Sequence, residues 1–264
     1  MRNSFSRQGE NMPGKLEGKR VIVTGASSGI GAAITRRFSA ESASIWAAGG
    51  FNQERLDGII ADCGAAGAKI DGQCYDLRDA RKANDVMSDG AQFLGGLDIM
   101  VNCAAMRAHG SFLEFTDEQI DELYEVNAKS VFIATREAAR LMAPQGKGKI
   151  LMIGSIDGER GVPGNALYCA TKTSMHNLTR ALAVELGPLG LRVNCLMPGT
   201  TESERVKEIH INDPERARAK LPRIPVNRFA TPEEMAEVSL FMVSDENDFM
   251  NGAFISCDGG TLAM

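Results

Sequence analysis

The chain has 264 residues, 44% of them hydrophobic and 24% charged, with 28 glycines. That is ample apolar material for one large domain or two small ones, yet no apolar run approaches the roughly 20 residues of a bilayer span. A net charge of −5 argues against a general nucleic-acid binder, which would be basic.

In chain order, the polar start MRNSFSRQGENMPGK lacks the apolar centre of a secretory signal, and residues 1–16 read as a flexible tail before a single domain over 17–264. Strands are expected at 20–24 (RVIVT), 43–48 (ASIWAA), 71–77 (DGQCYDL), 97–102 (LDIMVN), 149–154 (KILMIG), 191–196 (LRVNCL) and 253–259 (AFISCDG). Amphipathic segments near 29–41, 53–66, 79–94, 117–143, 166–187 and 232–244 alternate with them. Continuously apolar strands separated by helices imply an α/β doubly wound fold, a seven-stranded parallel sheet with helices on both faces. Residues 200–230 are charged and hold Pro214, Pro222 and Pro225, which suits a lid or insertion.

The first strand runs straight into Gly25, Gly29 and Gly31 before a helix. Glycine lets the backbone approach a ligand closely, and the free N–H groups and positive dipole end of a new helix attract pyrophosphate. Ser27 and Ser28 add hydroxyls; the same residues also suit an ordinary strand-to-helix turn. Six cysteines are scattered without a CxxC pair and three histidines stand far apart, so no metal site is expected and the thiols read as reduced core residues of a cytoplasmic protein.

The stretch Thr24-Gly25-Ala26-Ser27-Ser28-Gly29-Ile30-Gly31 matches the T-G-x-x-x-G-x-G signature of the short-chain dehydrogenase/reductase family. The resemblance runs from about Lys19 to Gly260: Asp76-Leu77, the VNCAA turn with Asn102 and Ala104, Asn127, Ser155 thirteen residues before Tyr168, Tyr168-x-x-x-Lys172, the turn of Pro198-Gly199 with Thr201 and Ser203, and the closing DGG. Cys103 and Ala105 depart from the family's V-N-N-A-G. The resemblance implies a Rossmann fold binding NAD or NADP through Gly25, Ser27, Ser28, Gly29, Ile30, Gly31, Asp76, Leu77, Asn102, Ala104, Tyr168, Lys172, Pro198, Gly199, Thr201 and Ser203. It implies a catalytic set of Asn127, Ser155, Tyr168 and Lys172.

The Tyr168–Lys172 spacing has its own logic. Residues four apart share a helix face. A free tyrosine, with a pKa of about 10, is a poor base near neutrality, and a cation about 4 Å away at an effective dielectric of about 20 supplies roughly 4 kcal/mol towards ionising it. By the resemblance, Tyr168 exchanges a proton with the substrate oxygen, Lys172 also holds the nicotinamide ribose, Ser155 steadies the reacting oxygen, and Asn127 holds a water leading from Lys172 to solvent. The expected reaction interconverts a secondary alcohol and a ketone. A catalytically silent dinucleotide-binding regulator and a sugar-nucleotide epimerase or dehydratase are the alternatives.

The second strand ends Ala48-Gly49-Gly50-Phe51-Asn52, with neither the Asp that selects NAD nor the Arg that selects NADP, so use of both cofactors with a modest lean to NADP is expected. The substrate pocket is expected to draw on Met106, Arg107, His109, Asp157, Glu159, Arg160 and Asn165 together with the 200–230 segment. Arg107 and His109 could receive a carboxylate or a polyol, though a solvated loop carries such residues as often. Broad apolar faces on the helices at 117–143 and 166–187, the pairing helices of the family, imply a homo-oligomer, a tetramer before a dimer.

Overall fold

In the computed structural model, which describes residues 13–204, 206–207 and 212–264, seven strands form one sheet: β1 (Arg20–Thr24), β2 (Ser44–Gly49), β3 (Ile70–Cys74), β4 (Ile99–Asn102), β5 (Gly148–Ile153), β6 (Leu191–Pro198) and β7 (Phe254–Cys257). Their order is β3-β2-β1-β4-β5-β6-β7, every pair parallel. The helices are α1 (Gly29–Ala40), α2 (Gln53–Ala65), α3 (Lys82–Leu94), α4 (Asp117–Tyr124), α5 (Ser130–Met142), α6 (Ala166–Leu186), α7 (Pro214–Lys220) and α8 (Pro232–Val243). The strands are apolar at successive positions because both sheet faces are covered. On one face Ile22, Met100, Ile150, Met152 and Val193 pack with Val86, Val131 and Met175 of α3, α5 and α6. On the other Val21, Val23, Ile45, Val101 and Leu151 pack with Ile34 and Phe38 of α1 and Met235 and Leu240 of α8.

Local chemistry trims the expected boundaries. β3 stops at Cys74, not residue 77, because Asp76 accepts the backbone N–H of Arg78 and turns the chain. α3 starts at Lys82, not 79, because residues 79–84 first make tighter i to i+3 bonds. The single helix expected over 117–143 is broken by a π-turn at Glu125–Lys129, where the Ser130 N–H reaches the Glu125 carbonyl five residues back.

The tail expected over 1–16 needs a correction at its end: residues 1–12 lie outside the described residues, but Leu16 is fully buried and its N–H bonds the Glu41 carbonyl. The expected lid lies partly outside them too, at Arg205 and Glu208–Ile211. Its described parts include α7 and a bridge between Thr201 and Ala230. Among the described residues, no helix is long and apolar enough to cross a membrane, and no group of histidine, cysteine, aspartate and glutamate could hold a metal ion.

Candidate active site

The strand order reverses between β1 and β4, and ligands of such sheets bind beyond the carboxyl ends of the strands at that point. A cavity of about 440 Å³ lies there. Gly25 begins it with φ +70°, and a Cβ at that position would stand 2.9 Å from the Ala104 backbone, so only glycine lets β1 and the turn after β4 meet so closely. Thr24 closes the same junction: its hydroxyl accepts the N–H groups of Cys103 (3.0 Å) and Ala104 (3.2 Å) and donates to the Val101 carbonyl. That hydroxyl holds the turn despite the Cys103 and Ala105 departures. Ser28 precedes α1 in an extended conformation and spends no side-chain bond on capping, leaving its hydroxyl and the free N–H groups of the first turn to the cavity.

Of the residues expected at the site, Gly25, Ser28, Gly29, Ile30, Gly31, Ala104, Ser155, Tyr168, Lys172, Pro198, Gly199, Thr201 and Ser203 line this cavity. The other expected residues do not. Ser27 turns to the end of β2, accepting the Gly50 N–H at 3.3 Å. Asp76 is ion-paired with Arg78 at 2.7 Å, which holds its carboxyl below the usual range, and Leu77 packs in the core. Asn102 is buried, donating to the Thr135 hydroxyl and the Met152 sulfur, so its side chain fastens β4 to α5 and β5. Cys103 lines the cavity, but burial pushes its thiol up to about 12, too high for a thiolate nucleophile near neutrality.

Tyr168 and Lys172 project from the first turns of α6, 4% and 2% exposed. The Lys172 ammonium donates to the Ile153 carbonyl at 2.8 Å and stands 5.7 Å from the Tyr168 ring centre. No carboxylate lies within salt-bridge range of it among the described residues. Arg107 supplies a second cation, 4.4 Å from the Tyr168 ring centre and 3.3 Å from the phenol oxygen. The Ser155 hydroxyl accepts the Asp157 N–H at 3.1 Å, so its own hydrogen is free for the cavity. Asn127 stands one layer behind. The π-turn aims its amide at the backbone of Met106, accepting that N–H at 2.7 Å and donating to that carbonyl at 2.8 Å, and a further bond reaches the Thr171 hydroxyl. It therefore ties the loop after β4 to α6. The glycine cradle, the helix N-terminus and the ammonium fit the diphosphate and ribose of a dinucleotide.

One titratable group behind the cavity was given no role by the sequence. His176 follows Lys172 by four residues, is 1% exposed, and places Nδ1 2.8 Å from the Glu159 carboxylate. Its Nε2 is buried without a partner, and its ring meets Phe254 edge-on at 5.4 Å. Burial lowers its pKa, against the opposing pull of Glu159. The unfolded chain takes up a proton near pH 6.5, whereas the folded protein takes it up only at lower pH. Stability conferred by neutral His176 is thus complete above about pH 6.5 and is lost as pH falls towards the lowered folded pKa. The Tm should drop across that window in wild type, and His176→Gln should flatten that part of the curve. An identical slope in the variant would assign the drop to other groups.

A family model described as enoyl-(acyl carrier protein) reductase matches residues 25–261. A 3-oxoacyl-(acyl-carrier-protein) reductase of Thermotoga maritima is 35% identical over 247 residues, 93% of this chain and 98% of the relative. The L-xylulose reductase of Bos taurus is 34% identical over 250 residues, 94% and 98% of the two chains. Among solved structures, a short-chain dehydrogenase of Burkholderia cenocepacia in complex with NADP superposes with a TM-score of 0.87 at 31% identity, covering 94% of this chain and 99% of that one.

Proposed function

The chain belongs to the short-chain dehydrogenase/reductase family, oxidoreductases that use NAD or NADP and act on CH–OH groups, and from that premise we propose that it interconverts a secondary alcohol and a ketone with Tyr168 as the acid/base. The observation that carries this reading is the buried Tyr168–Lys172 pair opening into the cavity beside the Ser155 hydroxyl. The cofactor, held by the α1 cradle, Pro198–Gly199 and Lys172, supplies the hydride acceptor or donor. Tyr168 takes the hydroxyl proton in oxidation and returns it to the carbonyl oxygen in reduction. Ser155 donates to that oxygen as charge develops on it. Lys172 and Arg107 set two positive charges beside the Tyr168 ring, Arg107 reaching its phenol oxygen.

The test follows absorbance at the reduced-nicotinamide band across a panel of ketones and alcohols with each cofactor. Cofactor binding without turnover of any panel member would favour the silent regulator, and loss of one sugar nucleotide with appearance of its epimer, without net reduction, would favour the epimerase. The same panel measures selectivity. β2 ends in Gly49, which carries no acid to repel a 2′-phosphate. The cations near that end already face carboxylates: Arg36 with Asp62, Arg55 with Glu204, and Arg78, over the Phe51 ring, with Asp76. A shared cation gives only part of the roughly 1.5–3 kcal/mol of a charged hydrogen bond. The expected ratio of kcat/KM for NADP to that for NAD is between one and about one hundred; a preference for NAD contradicts this account.

We also propose a homo-oligomer, a tetramer before a dimer. Phe132 and Leu141 on α5 and Val184 on α6 are 47%, 37% and 80% exposed, on the two helices whose apolar faces the sequence singles out. Light scattering at micromolar concentration should show more than one copy, and Phe132→Asp should shift the mass downward. A monomeric wild type refutes the proposal.

A further inference from the structure

Beyond Ser155 the cavity continues into a chamber of about 220 Å³, reached past Arg107, Asn165 and Thr201. Four cations from three segments line it: Arg107 after β4, Arg160 after β5, and Lys220 at the end of α7 with Arg223 just beyond. Among the described residues Asp157 is the one carboxylate lining it, and its contacts with the Arg160 guanidinium, 3.3 and 3.4 Å, are long for a charge-assisted bond. Arg107 and Arg223 have no carboxylate within salt-bridge range among the described residues.

Acidic residues outnumber basic ones 34 to 29, and elsewhere most arginines find one: Arg20 with Asp98, Arg37 with Glu41 and Glu237, Arg81 with Asp79, Arg140 with Glu137, Arg228 with Glu234. Arg107 and Arg223 are themselves exposed, yet both line this one small chamber and set positive charge there with no carboxylate partner among the described residues. The planar guanidinium matches the two oxygens of a carboxylate or phosphate.

We propose that the substrate carries an oxyanion that docks in this chamber on Arg107 and Arg223, so that a small oxo- or hydroxy-acid is preferred over its uncharged counterpart. The assignment rests on the alcohol–ketone reading for the place of the reacting oxygen, which is the Tyr168–Ser155 end of the same cavity. Arg107 then spans both ends, touching the phenol and facing the anion.

The test compares oxo-carboxylates of four to seven carbons with their primary amides, and dihydroxyacetone phosphate with dihydroxyacetone, as substrates and as ligands of the enzyme–cofactor complex by calorimetry. The best charged compound should exceed its neutral partner by about 10- to 100-fold in kcat/KM and in affinity, the range of one charge-assisted hydrogen bond. A high concentration of NaCl should shrink that ratio, and Arg223→Gln should bring it towards one. Using the ratio cancels general damage to the site. Acids ahead of amides assign a carboxylate; an advantage only for the phosphate assigns a phosphate ester. Equal behaviour of every charged and neutral pair overturns the proposal, as does a ratio unchanged in Arg223→Gln. If no ketone is reduced at all, the alcohol–ketone reading fails, while the calorimetric ratio still decides whether the chamber holds an anion.

Discussion

Tyr168→Phe should lower turnover by about 10²- to 10⁴-fold, the usual contribution of a positioned general acid/base, while cofactor binding and Tm stay close to wild type. The structure separates the two effects. The Tyr168 ring packs with Leu123 and Leu167 and against Met106, Phe115 and Ile120, and phenylalanine keeps all of that surface. Among the described residues the hydroxyl has one partner, Arg107, at a long 3.3 Å, so its loss costs at most about 1 kcal/mol of stability. The Ser155 hydroxyl can donate a hydrogen bond to the reacting oxygen, its own hydrogen being free, but an ordinary serine hydroxyl is far too weak an acid to replace the phenol in proton transfer. Single-turnover measurement of hydride transfer, with a parallel cofactor titration, distinguishes a chemical defect from a binding one. Activity within a few-fold of wild type would remove Tyr168 from the acid/base role.

The architecture was legible because its cause is local. Runs such as VIV at 21–23 and ILMI at 150–153 are apolar at every position, which only a sheet covered on both faces explains. The glycine turn was equally plain, since Gly25 answers to a contact of its own backbone with Ala104. What escaped depends on pairings distant in sequence. Thr24 is an ordinary strand residue until its hydroxyl meets the turn 79 residues later. Asn102 and Asn127 occupy expected positions, yet their amides are consumed by Thr135 and by the Met106 backbone, so family resemblance located the residues without showing which atoms face the cavity. His176 could have been suspected from helical spacing alone, as the next position on the Tyr168–Lys172 face. Arg223 could not: it lies in a charged, proline-broken segment where nothing in the pattern tells a cavity cation from a solvated one.

Lys172→Met should leave a folded protein that has lost both turnover and cofactor affinity. Methionine keeps most of the buried volume at a 2%-exposed site and avoids the cavity that alanine would leave. What goes is the charge and its hydrogen bonds. The ammonium now satisfies the Ile153 carbonyl at the end of β5, and leaving that acceptor unpaired costs about 1–3 kcal/mol of stability. Relief from burying a cation that has no counter-ion among the described residues offsets part of that cost, so Tm should move by only a few degrees. Chemistry has no such offset. A cation acting on a phenolate at an effective dielectric of about 20 contributes up to about 4 kcal/mol at close range, and at the 5.7 Å seen to the Tyr168 ring centre a somewhat smaller share. That corresponds to a fall of about 10²- to 10³-fold in the rate of hydride transfer. If Lys172 holds the cofactor's ribose as proposed, loss of that donor should weaken binding by roughly 10-fold or more. Dinucleotide titration, single-turnover kinetics and thermal melting on one preparation of the variant separate the three effects. A variant that binds cofactor normally and loses only rate would confine Lys172 to tuning Tyr168; one that keeps its rate would show that Arg107, 4.4 Å from the ring centre, supplies the positive field instead.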